Sequence, residues 1–236
     1  MAHHTIDIDV VPEDFDEFGK IRADRVFQFF QIVAESQVNA LGIGPDDLLK
    51  RDYIWVLTKM RVKYTGEMRV GEKYICTTFP ASQKRATFKR DYYINYASDG
   101  ADPEKAVVIG ASQWCILNYK TRKLEKTDVI FDIPEEEINM IEGVFPKIHG
   151  DTPESVMKHR VNACDLDYND HCNNVRYIAL SEEATEKNIK GSLYVNFVSE
   201  VRFGEEFEIL VEENGEGTYV EGRKNDGTIV YQLIFN

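Results

Sequence analysis

The chain has 236 residues, 43% of them hydrophobic and 29% charged, which fits a soluble globular protein of one large domain or two small ones with room for a sizeable core. A formal net charge of −13 argues against a nucleic-acid partner, and no run of about 18 apolar residues is present to form a membrane span. The opening residues, Met1 to Asp7, lack the basic and apolar regions of a signal peptide. The four cysteines (Cys76, Cys115, Cys164, Cys172) form no CxxC pair, so the expectation is reduced thiols and a cytoplasmic protein.

Residues 5–10 alternate apolar and polar, as a half-buried strand does. A polar run follows, Asp14-Phe15-Asp16-Glu17-Phe18-Gly19-Lys20, and then a helix signal. Asp24 is a good N-cap, and Val26, Phe29, Phe30 and Val33 recur at i, i+3, i+4 and i+7, one apolar helix face. Leu41-Gly42-Ile43-Gly44-Pro45 carries helix-stop chemistry. Strand-like runs then cover 74–79, 86–96 and 107–119. Within 50–126 there are 16 basic and 8 acidic residues, a locally basic surface in an acidic protein, suited to an acidic partner. The stretch 134–153 is acidic and holds three prolines, and reads as a linker between an N-terminal unit (1–133) and a C-terminal unit (154–236).

The second unit holds the stretch around which the chain is organised: Asp165-Leu166-Asp167-Tyr168-Asn169-Asp170-His171-Cys172-Asn173-Asn174. Asp167, Asn169 and His171 lie two apart, so an extended backbone would point all three the same way and turn Cys172 toward the core. The double Asn is an N-cap signal for a helix from 174 onward, whose start offers backbone N–H groups to a developing oxyanion. Strand-like runs follow at 207–211, 218–223 and 228–235, the last two joined by the hairpin signal Lys224-Asn225-Asp226-Gly227. His3, His4, His149 and His159 stand outside any motif.

The halves repeat. At one constant spacing Asp14 matches Asp165, Asp16 matches Asp167 and Arg25 matches Arg176. At a second spacing, Glu67-Met68-Arg69-Val70-Gly71-Glu72 matches Glu200-Val201-Arg202-Phe203-Gly204-Glu205. Each half therefore reads strand, polar loop, helix, a strand carrying Glu-x-Arg-x-Gly-Glu, and further strands. An apolar helix face needs a sheet to cover it, so the expected fold is α+β, a tandem (double) hotdog in which each half wraps an antiparallel sheet on a long helix. The loops have diverged. Phe18 and Lys20 stand where the second half has Asn169 and His171, so one site is expected, in the second half. A His with a carboxylate acts as general base on water, and Glu200 is the candidate carboxylate.

The Asp-Leu-Asp-x-Asn-x-His-x-Asn-Asn-Val-Arg-Tyr-Ile run resembles the signature of the acyl-acyl carrier protein thioesterases of plant plastids and bacteria. Trp55-Val56-Leu57 resembles that family's Trp-Val-Leu segment, and 114–124 its Trp-x-x-x-Asn-x-x-Thr-Arg-(Arg/Lys)-Leu segment. The resemblance implies hydrolysis of fatty acyl thioesters on acyl carrier protein, releasing free acid, with catalytic Asp167, Asn169, His171 and Glu200. It implies no metal and no cofactor. Plant members have a Cys where this chain has Val201, which weakens a covalent thiol route. The family's acyl chain lies in the first hotdog, so Trp55, Phe29, Phe30 and Met60 are candidates for the acyl pocket. Lys84, Arg85, Lys89, Arg90, Lys120, Arg122 and Lys123 are candidates for docking the carrier. Rival readings are an acyl-coenzyme A thioesterase, a hydratase of the same fold and a catalytically dead acyl-binding protein. The hydratase pattern, Asp-x-Asn-Pro-x-His, has a Pro this chain lacks and places the His one residue later. Oligomeric state is left open, a homodimer being one option.

Overall fold

The structure, a computed structural model, describes residues 3–84, 86–124, 140–141, 143, 145–215 and 217–236. It divides into two compact units, residues 1–21 with 28–144, and residues 22–27 with 145–236.

In the first unit, strand β1 (His4–Ile8) leads through a short 3-10 turn at Pro12–Asp14 to helix α1 (Ala23–Ala40). A one-turn helix α2 (Pro45–Leu49) follows, then strands β2 (Tyr53–Tyr64), β3 (Tyr74–Lys84), β4 (Thr87–Tyr96) and β5 (Val108–Asn118). The sheet order is β1-β3-β4-β5-β2, antiparallel throughout. The second unit runs β6 (Glu154–Arg160), a 3-10 turn at Ala163–Asp165, α3 (Asn174–Thr185), β7 (Ser192–Phe197), β8 (Glu206–Asn214), β9 (Gly217–Arg223) and β10 (Ile229–Phe235). Its sheet order is β6-β8-β9-β10-β7. Strand for strand this is the same topology as the first unit, α2 having no counterpart, and the fold is a tandem hotdog.

The helix periodicity explains the first core. Val26, Phe30 and Val33 are fully buried and Phe29 nearly so. Phe30 stacks on Tyr92 of β4 at 4.6 Å between centroids and lies over Gly110 of β5, where a Cβ would come within 2.4 Å of the ring. Glycine at 110 is what allows the helix to lie this close. Burying one such aromatic side chain contributes roughly 2–3 kcal/mol. In the second unit Tyr177 of α3 stacks on Tyr231 of β10 at 4.9 Å, and Ser181, one turn on, hydrogen-bonds the Tyr231 hydroxyl at 3.0 Å.

Two local expectations change. Helix α1 begins at Ala23, so Asp24 sits in its first turn rather than capping it. The Glu-x-Arg-x-Gly-Glu segments are turns rather than strands: each follows a strand (β2 or β7), and Gly71 and Gly204 take φ of 85° and 80°. A left-handed residue cannot continue a ladder, and glycine adopts it without the steric cost of a Cβ. The 224–227 hairpin forms as expected, with Gly227 at φ 85° and the Thr228 N–H on Asp226 Oδ1 at 2.9 Å. The junction 134–153 falls largely outside the described residues up to 144. From 145 the chain runs without helix or strand to β6.

Candidate active site

The stretch from Asp165 to Asn173 folds as a tight turn, not as the extended run that residue alternation predicts. Asp167 is the reason. Its carboxylate Oδ1 accepts the backbone N–H groups of Asn169 at 2.8 Å and His171 at 3.2 Å, while its own N–H bonds the His171 carbonyl at 2.8 Å. Asp and Asn compete for local backbone groups in this way, and that chemistry overrides a period-two pattern. Asp170, at φ 60°, completes the reversal, and Leu166 and Cys172 pair across it. Asp167 is thus spent on the loop's own backbone, and Asn169 is exposed at the tip.

The exit of the turn is laid along the segment after β7. His171 pairs with Arg202, and the Cys172 N–H donates to the Val201 carbonyl at 2.8 Å. This register brings His171 Nε2 to 3.3 Å from Glu200 Oε2. The His171 side chain is 13% exposed and that of Glu200 41%, so the pair has a protected base and a wet carboxylate. His171 Nε2 is buried and has no hydrogen-bond partner among the described residues. A buried nitrogen left in that state is costly unless a water or substrate group meets it. A water bridging Nε2 and Oε2 from one side would lose a proton to the imidazole with the carboxylate beside the resulting cation.

Cys172 is buried, and burial pushes its thiol up to about 12, far from a thiolate. Val201 is fully buried. Neither offers a nucleophile.

Beneath the turn sits Asp165, the first residue of the motif, to which the sequence reading gave no role. Asp165 is 1% exposed and its carboxylate is fully engaged. Oδ2 accepts the Asn162 N–H at 2.8 Å and His159 Nε2 at 2.9 Å, and Oδ1 accepts Arg176 Nε at 2.9 Å. Burial alone would raise this carboxyl, but those three donors outweigh it and hold it below the usual carboxylate range. A carboxylate only accepts, so His159 donates from Nε2. The Asp165 carbonyl takes the Asn173 N–H at 2.8 Å, and Asn173 caps α3 with Oδ1 on the Val175 N–H at 3.0 Å. The repeat had marked Asp165 and Arg176 through Asp14 and Arg25. Nothing in the sequence marks His159.

The first half builds the same turn. Asp16 Oδ1 accepts the N–H groups of Phe18 at 2.9 Å and Lys20 at 2.8 Å, its N–H bonds the Lys20 carbonyl at 2.8 Å, and Gly19 takes the left-handed position at φ 70°. Lys20 Nζ lies 2.5 Å from Glu67 Oε1, and this contact holds the Glu67 carboxyl below its usual range. Lys20–Glu67 occupies the frame of His171–Glu200. An ammonium at neutral pH has three donors and no lone pair to accept a proton, so this frame is silent as a base.

The docking candidates do not share one surface. Arg90 is a correction: it is 5% exposed, its guanidinium facing inward to Gln37 of α1 and Thr78 of β3. Adjacent strand residues point to opposite faces, so Lys89 and Arg90 cannot both be outward. Lys84, Lys120 and Lys123 are exposed, Lys89 and Arg122 partly so, and Lys120 pairs with Asp52 at 2.8 Å. Arg85 lies outside the described residues. Among the pocket candidates, Phe29, Phe30 and Met60 are packed in the core. Trp55 joins Ile43, Tyr53 and Trp114, all partly buried, around Val38, Leu48, Phe88 and Ile116. Its indole N–H bonds the Ile43 carbonyl at 2.9 Å. Among the described residues no cluster of His, Cys, Asp or Glu is placed to hold a metal.

Comparison with known proteins follows the same division. The model of the acyl-ACP thioesterase N-terminal domain matches residues 2–135, and that of the C-terminal domain matches 149–232. A palmitoyl-acyl carrier protein thioesterase of Cuphea hookeriana chloroplasts is 31% identical over 199 residues, 72% of this chain and 45% of that protein. The chain thus spans about half the length of the curated relatives it matches. Two solved structures share the fold: an acyl-ACP thioesterase from Bacteroides thetaiotaomicron and a 12:0-ACP thioesterase from Umbellularia californica. The first has a TM-score of 0.81 at 24% identity, covering 99% of this chain and 98% of that one. The second has a TM-score of 0.79 at 17% identity, covering 99% and 96%. With both family domains matched in order and the paired turns built on one plan, the chain belongs to the acyl-ACP thioesterase family.

Proposed function

We propose that the protein hydrolyses fatty acyl thioesters of acyl carrier protein, releasing the free acid and ending chain elongation. The observation that carries this reading is the His171–Glu200 pair, a buried imidazole nitrogen without a hydrogen-bond partner 3.3 Å from a carboxylate, in a chain of this family. His171 Nε2 takes a proton from a water held beside Glu200. The hydroxide adds to the thioester carbonyl, and the tetrahedral oxyanion collapses, expelling the carrier thiolate. The imidazolium returns the proton to the sulfur. Asn169, reaching in from the tip of the turn, and the start of α3 supply the donors proposed for the oxyanion, and Asp167 acts by holding the turn that carries both Asn169 and His171. The acyl tail occupies the first hotdog beside Trp55 and its neighbours. The carrier docks on exposed lysines of the basic stretch, Lys84, Lys120 and Lys123, together with Lys89, Arg85 and Arg122. Arg90 is excluded by its burial.

The described cysteines are all free thiols, which supports a reducing compartment. Hydrolysis of acyl carrier protein thioesters over a range of acyl lengths tests the reading. Turnover by the wild type, absent in His171→Ala, is the expected result. Turnover of acyl-coenzyme A alone would move the substrate to the other carrier. Tight acyl binding with no turnover of either would leave a binding protein.

A further inference from the structure

The two halves repeat the turn nearly bond for bond, so each difference between them separates what the fold requires from what the site requires. One difference lies outside the turn. On β1, Ile8 pairs with Tyr74 at the head of β3. On β6, His159 pairs with Phe207 at the matching place on β8. Ile8 is an apolar plug, 7% exposed. His159 packs edge-on against Phe207, with centroids 5.7 Å apart, and donates from Nε2 to the buried Asp165 at 2.9 Å.

We propose that His159 is a positioning residue for the reaction: through Asp165 it ties the entry of the turn to β6 and so keeps His171 in register with Glu200. This rests on the hydrolytic reading of that pair.

The first half shows that the turn folds without such a histidine. Its Asp14 takes the Val11 N–H at 3.0 Å just as Asp165 takes that of Asn162, and Asp16 closes the same two backbone bonds as Asp167. What differs is the side chain each turn must place. Lys20 has a four-carbon stem and is 41% exposed, so it can reach Glu67 from a range of backbone positions. An imidazole has two side-chain torsions, and the position of Nε2 follows the backbone closely. A site of this kind needs its groups held within about 0.5 Å, and a shift near 1 Å can cost on the order of 10²-fold in rate. Asp165 is placed to supply that constraint. It binds β6 through His159, the entry of the turn through Asn162 and α3 through Arg176, while its carbonyl fixes the exit at Asn173. Removing His159 releases the tie to the sheet and leaves the others.

The test is steady-state kinetics of the full chain on palmitoyl-acyl carrier protein, with thermal melting of each variant. His159→Ile installs the residue of the first half. It should lower kcat by about tenfold with KM within about twofold of wild type and little change in Tm. His159→Gln, which keeps a donor, should recover kcat to within about threefold. Asp165→Asn serves if the Ile variant does not fold, and should show the same kcat loss at unchanged KM. The inference is overturned if His159→Ile, or in its place Asp165→Asn, keeps kcat within twofold while His171→Ala is inactive. It is equally overturned if His159→Ile and His159→Gln lose activity alike, in proportion to the fraction unfolded. If His171→Ala and Glu200→Gln themselves stay active, it is the hydrolytic reading that fails, and the role of His159 fails with it.

Discussion

His171 and Glu200 reach each other from opposite sides of a two-residue ladder, and each has one task that a conservative change removes. In the proposed mechanism His171→Ala takes away the base, and a lost general base costs on the order of 10²–10⁴ in rate. That variant should bind acyl carrier protein thioester and release almost no acid in a fixed-time assay. Glu200→Gln keeps shape and loses charge, and should fall in kcat with little change in KM. Cys172 is not placed to form an acyl-enzyme, since its thiol is buried and pushed up to about 12. A variant with all four cysteines replaced by Ser or Ala should keep most activity. Single-turnover mass spectrometry should find no acylated peptide, and one containing Cys172 that forms and decays at the turnover rate would refute attack by water. The identities of these residues were legible from their types and from the repeat. Their orientation was not, because Asp167 bonding its own turn and Asp165 bonding His159 are choices among local partners that a period-two pattern does not distinguish. The match of Gly19 with Asp170 was the available signal, since a glycine at a repeat position marks a left-handed residue in both copies.

The paired turns let folding and chemistry be measured separately within one molecule. Asp16→Ala and Asp167→Ala each delete a carboxylate oxygen that accepts two backbone N–H groups. Each should cost about 1–2 kcal/mol of stability and lower Tm by a similar amount. Only Asp167→Ala should also reduce kcat. Equal kcat losses from the two would show that the first turn shares in the chemistry. Helix α3 carries a second testable feature. Glu182 is largely buried and accepts the N–H groups of Ile189 at 3.2 Å and Ala23 at 3.4 Å. Burial first, and Asp24 after it, raise its carboxyl from 4.5 to about 7. A carboxyl that holds its proton more tightly when folded destabilises the fold once it ionises. The penalty is absent below about pH 4.5, grows between 4.5 and 7, and is complete above 7. Glu182→Gln should therefore melt above wild type at pH 8, with the difference closing as pH falls to 4.5. A constant difference across that range would exclude titration of Glu182 as its cause. Elements with strong periodicity, such as α1 and the hairpin at 224–227, could be read directly. The Glu-x-Arg-x-Gly-Glu segments could not, because charged residues alternating with Met68, Val70, Val201 and Phe203 imitate a strand until the glycine's left-handed conformation breaks it.

At the scale of the whole molecule the proposed function asks how an acidic protein would receive an acidic carrier. The basic stretch offers Lys84 and Lys123 as exposed cations. Reversing both to Glu should raise KM for the carrier-bound substrate about tenfold, with kcat and the hydrolysis of a small soluble thioester within twofold. Added salt should act in the same direction, since exposed charges are screened beyond roughly 10 Å at 0.1 M. No effect of reversal or of salt would leave these lysines as a solvated face. That two copies of one plan share the chain was the most legible fact in the sequence, because duplicated motifs survive where individual contacts do not. Asp16 and Glu67 stand where Asp167 and Glu200 stand, and the turn between them keeps its bonds. The two copies differ at the positions proposed for the chemistry, Phe18 and Lys20 against Asn169 and His171, and at Ile8 against His159. Measured in substitutions, Ile8→His, Phe18→Asn and Lys20→His are the distance between this chain and a molecule with two matching frames. In a His171→Ala background, those changes would report whether the backbone of the first copy can support hydrolysis.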